Sequence, residues 1–288
     1  MTQLMLLASI CNIVFDYIAI VALGWGVKGA AYATISAHAF ALIIGGIWVA
    51  KGHLALKLRA TIDLQRMGAI MLLGSPVLVA QAGTAVQSGL VNLQFASLGE
   101  VEWVIAYGIL GRYAMVAFLP IIAMLIAFQT ICSFNHGAGQ VDRVRQSIVV
   151  AFTAVTIYAS VITLILVLFP SQLLSLFATD LDLIGYGKTL IYQTVWGLPL
   201  VGVTIIATGY YQSLGLGGKA TIYSAVRIFI LFMPLVNILP SVIGVYGILI
   251  ALLLADLLSP LVVGWLCRKE LKRIFWQEAV VSYHAHES

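Results

Sequence analysis

An all-α integral membrane protein with eight transmembrane helices is the fold class this sequence predicts, and three observations carry the prediction. Of its 288 residues, 62% are hydrophobic and 9% charged, against roughly 25% charged in a soluble domain. Eight apolar stretches reach the ~20 residues needed to cross a hydrocarbon core as helix. One short glycine turn, with apolar runs on both sides, occurs twice, 218 residues apart. Strands do not fit: the period-2 alternation of a membrane barrel is absent, and lipid-exposed backbone must bond within its own segment.

The eight stretches run approximately over 3–24, 29–50, 67–97, 102–134, 147–169, 185–214, 219–242 and 245–267. The first two are joined by Gly26-Val27-Lys28-Gly29, followed by Ala33, Ala37, Gly46 and Lys51. The last two are joined by Gly244-Val245-Tyr246-Gly247, followed at the same offsets by Ala251, Ala255, Gly264 and Lys269. Glycine permits the tight turn, and small residues let the following helix pack closely. Such a repeat is the mark of a duplicated helix bundle, a common transporter architecture. The third, fourth and sixth stretches exceed what a bilayer requires and should tilt or protrude. Pro76, in Gly74-Ser75-Pro76, frees a carbonyl and permits a bend in the third.

Between the second and third stretches, Lys51 to Arg66 mixes cations, His53 and Asp63 with four leucines, a composition suited to the membrane surface. The expected organisation is therefore 1–50, the last two helices of a first bundle; 51–66, a cytoplasmic linker; 67–269, a six-helix bundle; and 270–288, a tail without fixed structure. His284 and His286 in that tail are too few ligands to indicate a metal.

Cation placement sets the orientation. With both termini inside, the inner connections hold Lys51, Lys57, Arg59, Arg66, Arg143, Arg145, Lys219, Arg268, Lys269, Lys272 and Arg273. The outer ones hold only Lys28 and Lys188, beside Glu100, Glu102, Asp180 and Asp182. That is the positive-inside bias of an inner-membrane protein with cytoplasmic termini. The pI of about 9.0 thus reports topology, and the sequence has no basic, aromatic-rich wet surface that would indicate a nucleic-acid partner. Cys11, Cys132 and Cys267 lie in or at the ends of apolar stretches without CxxC spacing, as small core residues do.

Ionisable groups at membrane depth are functional candidates. Asp16 is foremost. It lies four residues after Asn12, on the same helix face. Thr34 follows Gly29 by five residues, while Asp16 precedes Gly24 by eight; at ~1.5 Å rise per residue they lie within about one turn in depth. Carboxylate, amide and hydroxyl oxygens there form a hard-oxygen site for Na⁺, or for a proton on a buried carboxyl. Gln81 and Asn92 either line a cavity or hold helices together. Arg112 and Arg227 are expected to snorkel to an interface. Asp256 falls where His38 falls in the other repeat and is expected to make a helix-packing contact, with a second ion site as the alternative. Trp103, Tyr107, Tyr113, Tyr158, Trp196, Tyr210 and Tyr211 are read as interfacial aromatics. No nucleophile–base pair or metal cluster at membrane depth suggests an enzyme, and no cofactor is implied beyond a coupling ion.

With these residues in place, the chain resembles the multidrug and toxic compound extrusion (MATE) family, most closely its prokaryotic branch, over residues 1 to about 275. Asn12 to Asp16 followed by Gly24 to Thr34 is similar to that family's fifth and sixth helices. Gly74-Ser75-Pro76 with Gln81 resembles the opening of the seventh. Ser133 to Gln140, including Asn135, Gly137 and Gly139, with Arg143 after it, resembles the turn after the eighth. The resemblance implies helices 5–12 of a twelve-helix, two-lobe fold, the first four being absent from this chain. It implies a cation site in the first lobe on Asn12, Asp16 and Thr34, completed by an aspartate of the absent first helix. It also implies a Na⁺- or H⁺-coupled antiporter that exports drugs or toxic organic compounds, with the bilayer as partner and, if they are encoded separately, the N-terminal helices. Two alternatives stand: a lipid-linked oligosaccharide flippase of the same superfamily, and a membrane subunit that moves nothing.

Overall fold

A computed structural model of the protein describes residues 2–51, 64–178 and 180–285, with side chains over 4–51, 67–178 and 180–269. These residues form helices and short turns, with no strand among them. Eight helical spans are long and apolar enough to cross a membrane: Leu4–Ala22, Gly26–Ala50, Met67–Ser97, Val101–Gly137, Val141–Leu168, Leu181–Ser213, Gly217–Ile243 and Val245–Lys269. Large apolar side chains such as Ile35, Leu42, Leu78, Val116 and Ile122 face outward, as a surface solvated by lipid requires. The protein is a multi-pass membrane protein.

The spans begin and end where backbone chemistry dictates, and these points differ from the edges of the apolar windows. The fifth starts at Val141, six residues before its apolar stretch, because Asp142, Arg143 and Arg145 are carried on helix outside the hydrocarbon thickness. The sixth starts at Leu181 behind Asp180, whose side chain accepts the Asp182 N–H at 2.9 Å, a capping bond that satisfies one orphan donor. The eighth continues as helix to Ala285, where the sequence led to an unstructured tail from Glu270. Glu, Leu, Lys and Gln are good helix formers, and no glycine or proline stops the helix there. His286 and the linker residues 52–63 lie outside the described residues.

The helical chain divides into two compact units, Met1–Asp63 and Leu64–Ser288. In the first, the two spans pack on each other, with Ala33 and Ala37 buried between them. In the second, the third span packs on the seventh, the fourth on the fifth and sixth, and the seventh on the eighth. The main core joins Phe95, Trp103, Leu190, Phe232 and Leu249 from five different spans. Trp103 and Tyr211, which the sequence suggested as interfacial, are core residues at 7% and 1% exposure.

Three turns share one device. Gln140 N–H bonds the Asn135 carbonyl at 2.9 Å and Gly139 N–H that of His136 at 3.0 Å, with Gly139 at φ +69°. This pair of bonds around a left-handed glycine closes a helix C-terminus. Gly99 and Gly215 close the third and sixth spans by the same pair of bonds.

Candidate functional site

In the first unit, the site is built by the glycine turn. The first span is α-helical to Asp16 and then widens into a π turn over Tyr17–Ala22, closed by Leu23 N–H on the Ile18 carbonyl at 2.9 Å. Such insertions re-aim the side chains beside them and recur at functional sites. The chain reverses through Gly24 (φ +66°) and Gly26 (φ +55°), and Trp25 N–H bonds the Ala19 carbonyl at 3.0 Å. Gly29 then rests on that same carbonyl: a Cβ there would lie 2.9 Å from the Ala19 oxygen. The second span is thereby held close to the first and at fixed depth.

That register brings Asn12 and Thr34 together, with Asn12 Nδ2 donating to Thr34 Oγ1 at 3.3 Å. The Thr34 hydroxyl donates its own proton to the Ala30 carbonyl at 2.9 Å. Asp16, one turn along the helix from Asn12, has a buried Oδ1 that takes no hydrogen bond. An unpartnered carboxylate oxygen in an apolar setting is strongly unfavourable unless a cation or proton occupies it. The oxygens on offer suit either. Asp16 supplies charge, the Asn12 amide carries an acceptor oxygen, and Thr34 Oγ1 keeps one lone pair beyond its two bonds.

The second unit carries a separate feature, a cavity of about 320 Å³ to which all six of its spans contribute. Gln87, Tyr107, Tyr113, Tyr158, Thr194, Arg227 and Asp256 are its polar lining, at least one from each span, and aliphatic side chains supply most of the rest. Arg227 does not snorkel. Its Nε donates to Asp256 Oδ1 in an ion pair, and its Nη1 donates to Gln87 Oε1 at 3.0 Å. Asp256 accordingly makes the packing contact expected of it, and the contact is charged. Gly197 of the sixth span closes on it: a Cβ at Gly197 would lie 2.3 Å from the Asp256 Cβ. The sixth span can approach this closely because it tightens to a 3₁₀ turn over Val195–Leu200 around Pro199. Arg227 lies in a π turn, Val226–Phe232, that ends just before Pro234.

Other predicted positions fall elsewhere. Gln81 and Asn92 lie on exposed faces of the third span, and Gln87, one face round, lines the cavity. Arg112 sits 5.8 Å from the Phe177 ring. Asn135 is buried, its Nδ2 bonding the Ile131 carbonyl at 2.8 Å, while Gly137 lies in open space at the helix end. Pro76 removes the donor that would meet the Leu72 carbonyl; the Ser75 hydroxyl bonds that carbonyl at 2.8 Å instead. Gly217 packs over the same oxygen, where a Cβ would lie 2.2 Å from it. The next carbonyl, Leu73, accepts from Gln212 Nε2 at 3.2 Å. The Gly74-Ser75-Pro76 motif is thus where the third span joins the sixth and seventh.

Comparison with known proteins agrees with this architecture. The chain is 25% identical over 280 residues to a FAD transporter of Shewanella oneidensis, covering 93% of this chain and 60% of that protein. It is 25% identical over 248 residues to the multidrug export protein MepA of Staphylococcus haemolyticus, covering 85% of this chain and 54% of that one. The solved outward-facing structure of a multidrug resistance MATE family transporter of the MOP superfamily superposes with a TM-score of 0.85 at 20% identity, over 95% of this chain and 62% of that one. The chain therefore spans somewhat over half the length of the proteins it matches, and the structural likeness establishes the fold. The MatE family model matches residues 76–238, more than half of the chain and most of the second unit, and the protein belongs to the MatE family.

Proposed function

We propose that the protein forms part of a cation-coupled exporter of drugs or other toxic organic compounds, in which Asp16 takes the coupling ion. The observation that carries this reading is the buried, unpartnered Asp16 Oδ1, one helical turn from the Asn12 that bonds Thr34. A Na⁺ ion or a proton on Asp16 cancels a charge held in hydrocarbon. Loading therefore favours the conformation that encloses the residue, and release favours the one that opens it, which links ion movement to alternating access. The staphylococcal relative is named for multidrug export and the Shewanella relative for FAD, so the candidate cargo is a small organic molecule. The positive-inside distribution supports an inner-membrane setting with cytoplasmic termini.

The test is drug resistance and dye efflux in an efflux-deficient host expressing the protein, with Asp16→Asn compared at equal membrane abundance. Loss of both supports the assignment; retention of either removes Asp16 from the coupling role. Efflux driven by an imposed Na⁺ gradient or by an imposed pH gradient identifies the ion.

A further inference from the structure

Charge counting in the second-unit cavity points to a class of ligand that the first-unit site does not predict. Arg227 and Asp256 form a neutral pair, and the guanidinium cannot release its proton under any ordinary condition. An organic cation entering this cavity would leave one uncompensated positive charge in hydrocarbon with Asp256 ionised, and two with it protonated. An organic anion is different, because one proton on Asp256 makes the loaded cavity neutral again. The geometry allows this exchange. Arg227 uses Nε on Asp256 and one N–H of Nη1 on Gln87, which leaves one N–H on Nη1 and two on Nη2 to donate to a carboxylate, an acceptor that arginine binds well.

We propose that this cavity binds a lipophilic organic acid together with one proton: the carboxylate on Arg227, the proton on Asp256, and the apolar body against the aliphatic and tyrosine walls. The proton comes from the medium, and the acid's negative charge replaces the one that Asp256 gives up. The titratable groups facing Asp256 are Arg227 of the seventh span and Tyr107 of the fourth, Tyr107 lying beside Gln87 and Ser88. Tyr113 and Tyr158 line the same cavity. The sixth span brings Gly197 against Asp256 and lines the cavity with Thr194, which does not titrate. At about 320 Å³ the cavity suits a ligand of two fused rings, at the lower end of small-molecule pockets. The inference rests on the export reading for its biological role and names a cargo class for this unit.

The experiment is calorimetry on the purified protein in detergent with three probes of one shape: 1-naphthylacetate, its neutral amide, and 1-naphthylmethylammonium. Each is measured in buffers of differing protonation enthalpy. The acid should bind roughly tenfold or more tighter than the amide and take up about one proton, and the ammonium should give no measurable heat. The double variant Arg227→Gln with Asp256→Asn, which keeps the cavity neutral and filled, should bind acid and amide alike. Ammonium binding as tight as the acid, acid binding without proton uptake, or an unchanged acid preference in the double variant would each overturn the site. The measurement needs neither membrane nor gradient. Acid binding without export therefore defeats only the export reading, and export without acid binding defeats only this one.

Discussion

The Arg227–Asp256 pair makes a quantitative claim about the second unit that a double-mutant cycle can test. Each partner holds the other's charge in a setting where their side chains keep 28% and 16% exposure, and both line the cavity. Arg227→Gln strands a carboxylate beside apolar walls and should destabilise by about 3 kcal/mol, the low end for breaking a buried pair because the cavity side is open. Asp256→Asn leaves Arg227 its bond to Gln87 Oε1 at 3.0 Å, so the loss should be smaller, about 2 kcal/mol. The double variant removes both charges and leaves two amides of similar size in contact. It should lose only about 2 kcal/mol, which corresponds to a coupling of about 3 kcal/mol. Unfolding free energies from denaturing-detergent titration in mixed micelles, followed by far-ultraviolet circular dichroism, give all four corners of the cycle. Effects that add within about 0.5 kcal/mol would mean that the two residues do not sense each other, and the charge count built on their pairing would fail with them.

Three further outcomes follow from close approaches and caps. Gly217→Ala should destabilise by about 1–3 kcal/mol, because its Cβ would meet the Leu72 carbonyl oxygen at 2.2 Å and backbone must move; helix propensity alone favours alanine by about 1 kcal/mol, so the sign in the same detergent titration decides. Gly139→Ala should cost about 1–2 kcal/mol by placing a side chain at φ +69°, where L-residues are strained, and its thermal unfolding should shift down accordingly. Ser75→Ala removes the hydroxyl that bonds the Leu72 carbonyl and meets Thr221 Oγ1 at 2.5 Å, so about 1–2 kcal/mol should be lost and amide exchange at the start of the seventh span should speed up.

Much of the frame was legible because a membrane helix must satisfy its own backbone. The span count and the two glycine turns could be read without coordinates for that reason. The turn repeat holds in atomic detail: Gly26 and Gly244 both have positive φ, and Gly29 and Gly247 both press on backbone of the preceding span, Ala19 and Leu239 respectively. Depth along the hairpin put Asp16 level with Thr34, whereas the residue that bonds Thr34 is Asn12, one turn earlier. The same arithmetic hides the second-unit pair. Arg227 precedes Gly244 by 17 residues and Asp256 follows it by 12, a mismatch of roughly 7 Å at 1.5 Å per residue. The length of an arginine side chain and a π turn close that gap, and neither shows in an apolar pattern. The unused signal was chemical: one arginine and one aspartate on consecutive spans, each unaffordable alone in hydrocarbon, are each other's simplest solution. Gln87 was likewise visible as a polar residue, but only the rotation of the third span separates it from Gln81.

The contrast between the two intramembrane aspartates bears on the coupling role proposed for Asp16. Asp256 is already neutralised by a cation that is covalently part of the protein, so a mobile Na⁺ arriving there would have to displace a guanidinium held by two acceptors. The Oδ1 of Asp16 takes no bond at all, and the nearby amide and hydroxyl are engaged with each other, so a small cation there displaces nothing charged. On the proposed reading, the group whose charge is cancelled from within answers to cargo and the one left open answers to the ion gradient. An exchanger needs both kinds of response. Moving the arginine's role to the first unit should therefore abolish coupling: a cation fixed beside Asp16, introduced as Thr34→Arg, should lock that site as Arg227 locks Asp256. Efflux that survived in a folded Thr34→Arg protein would show that Asp16 need not exchange its partner for transport to proceed.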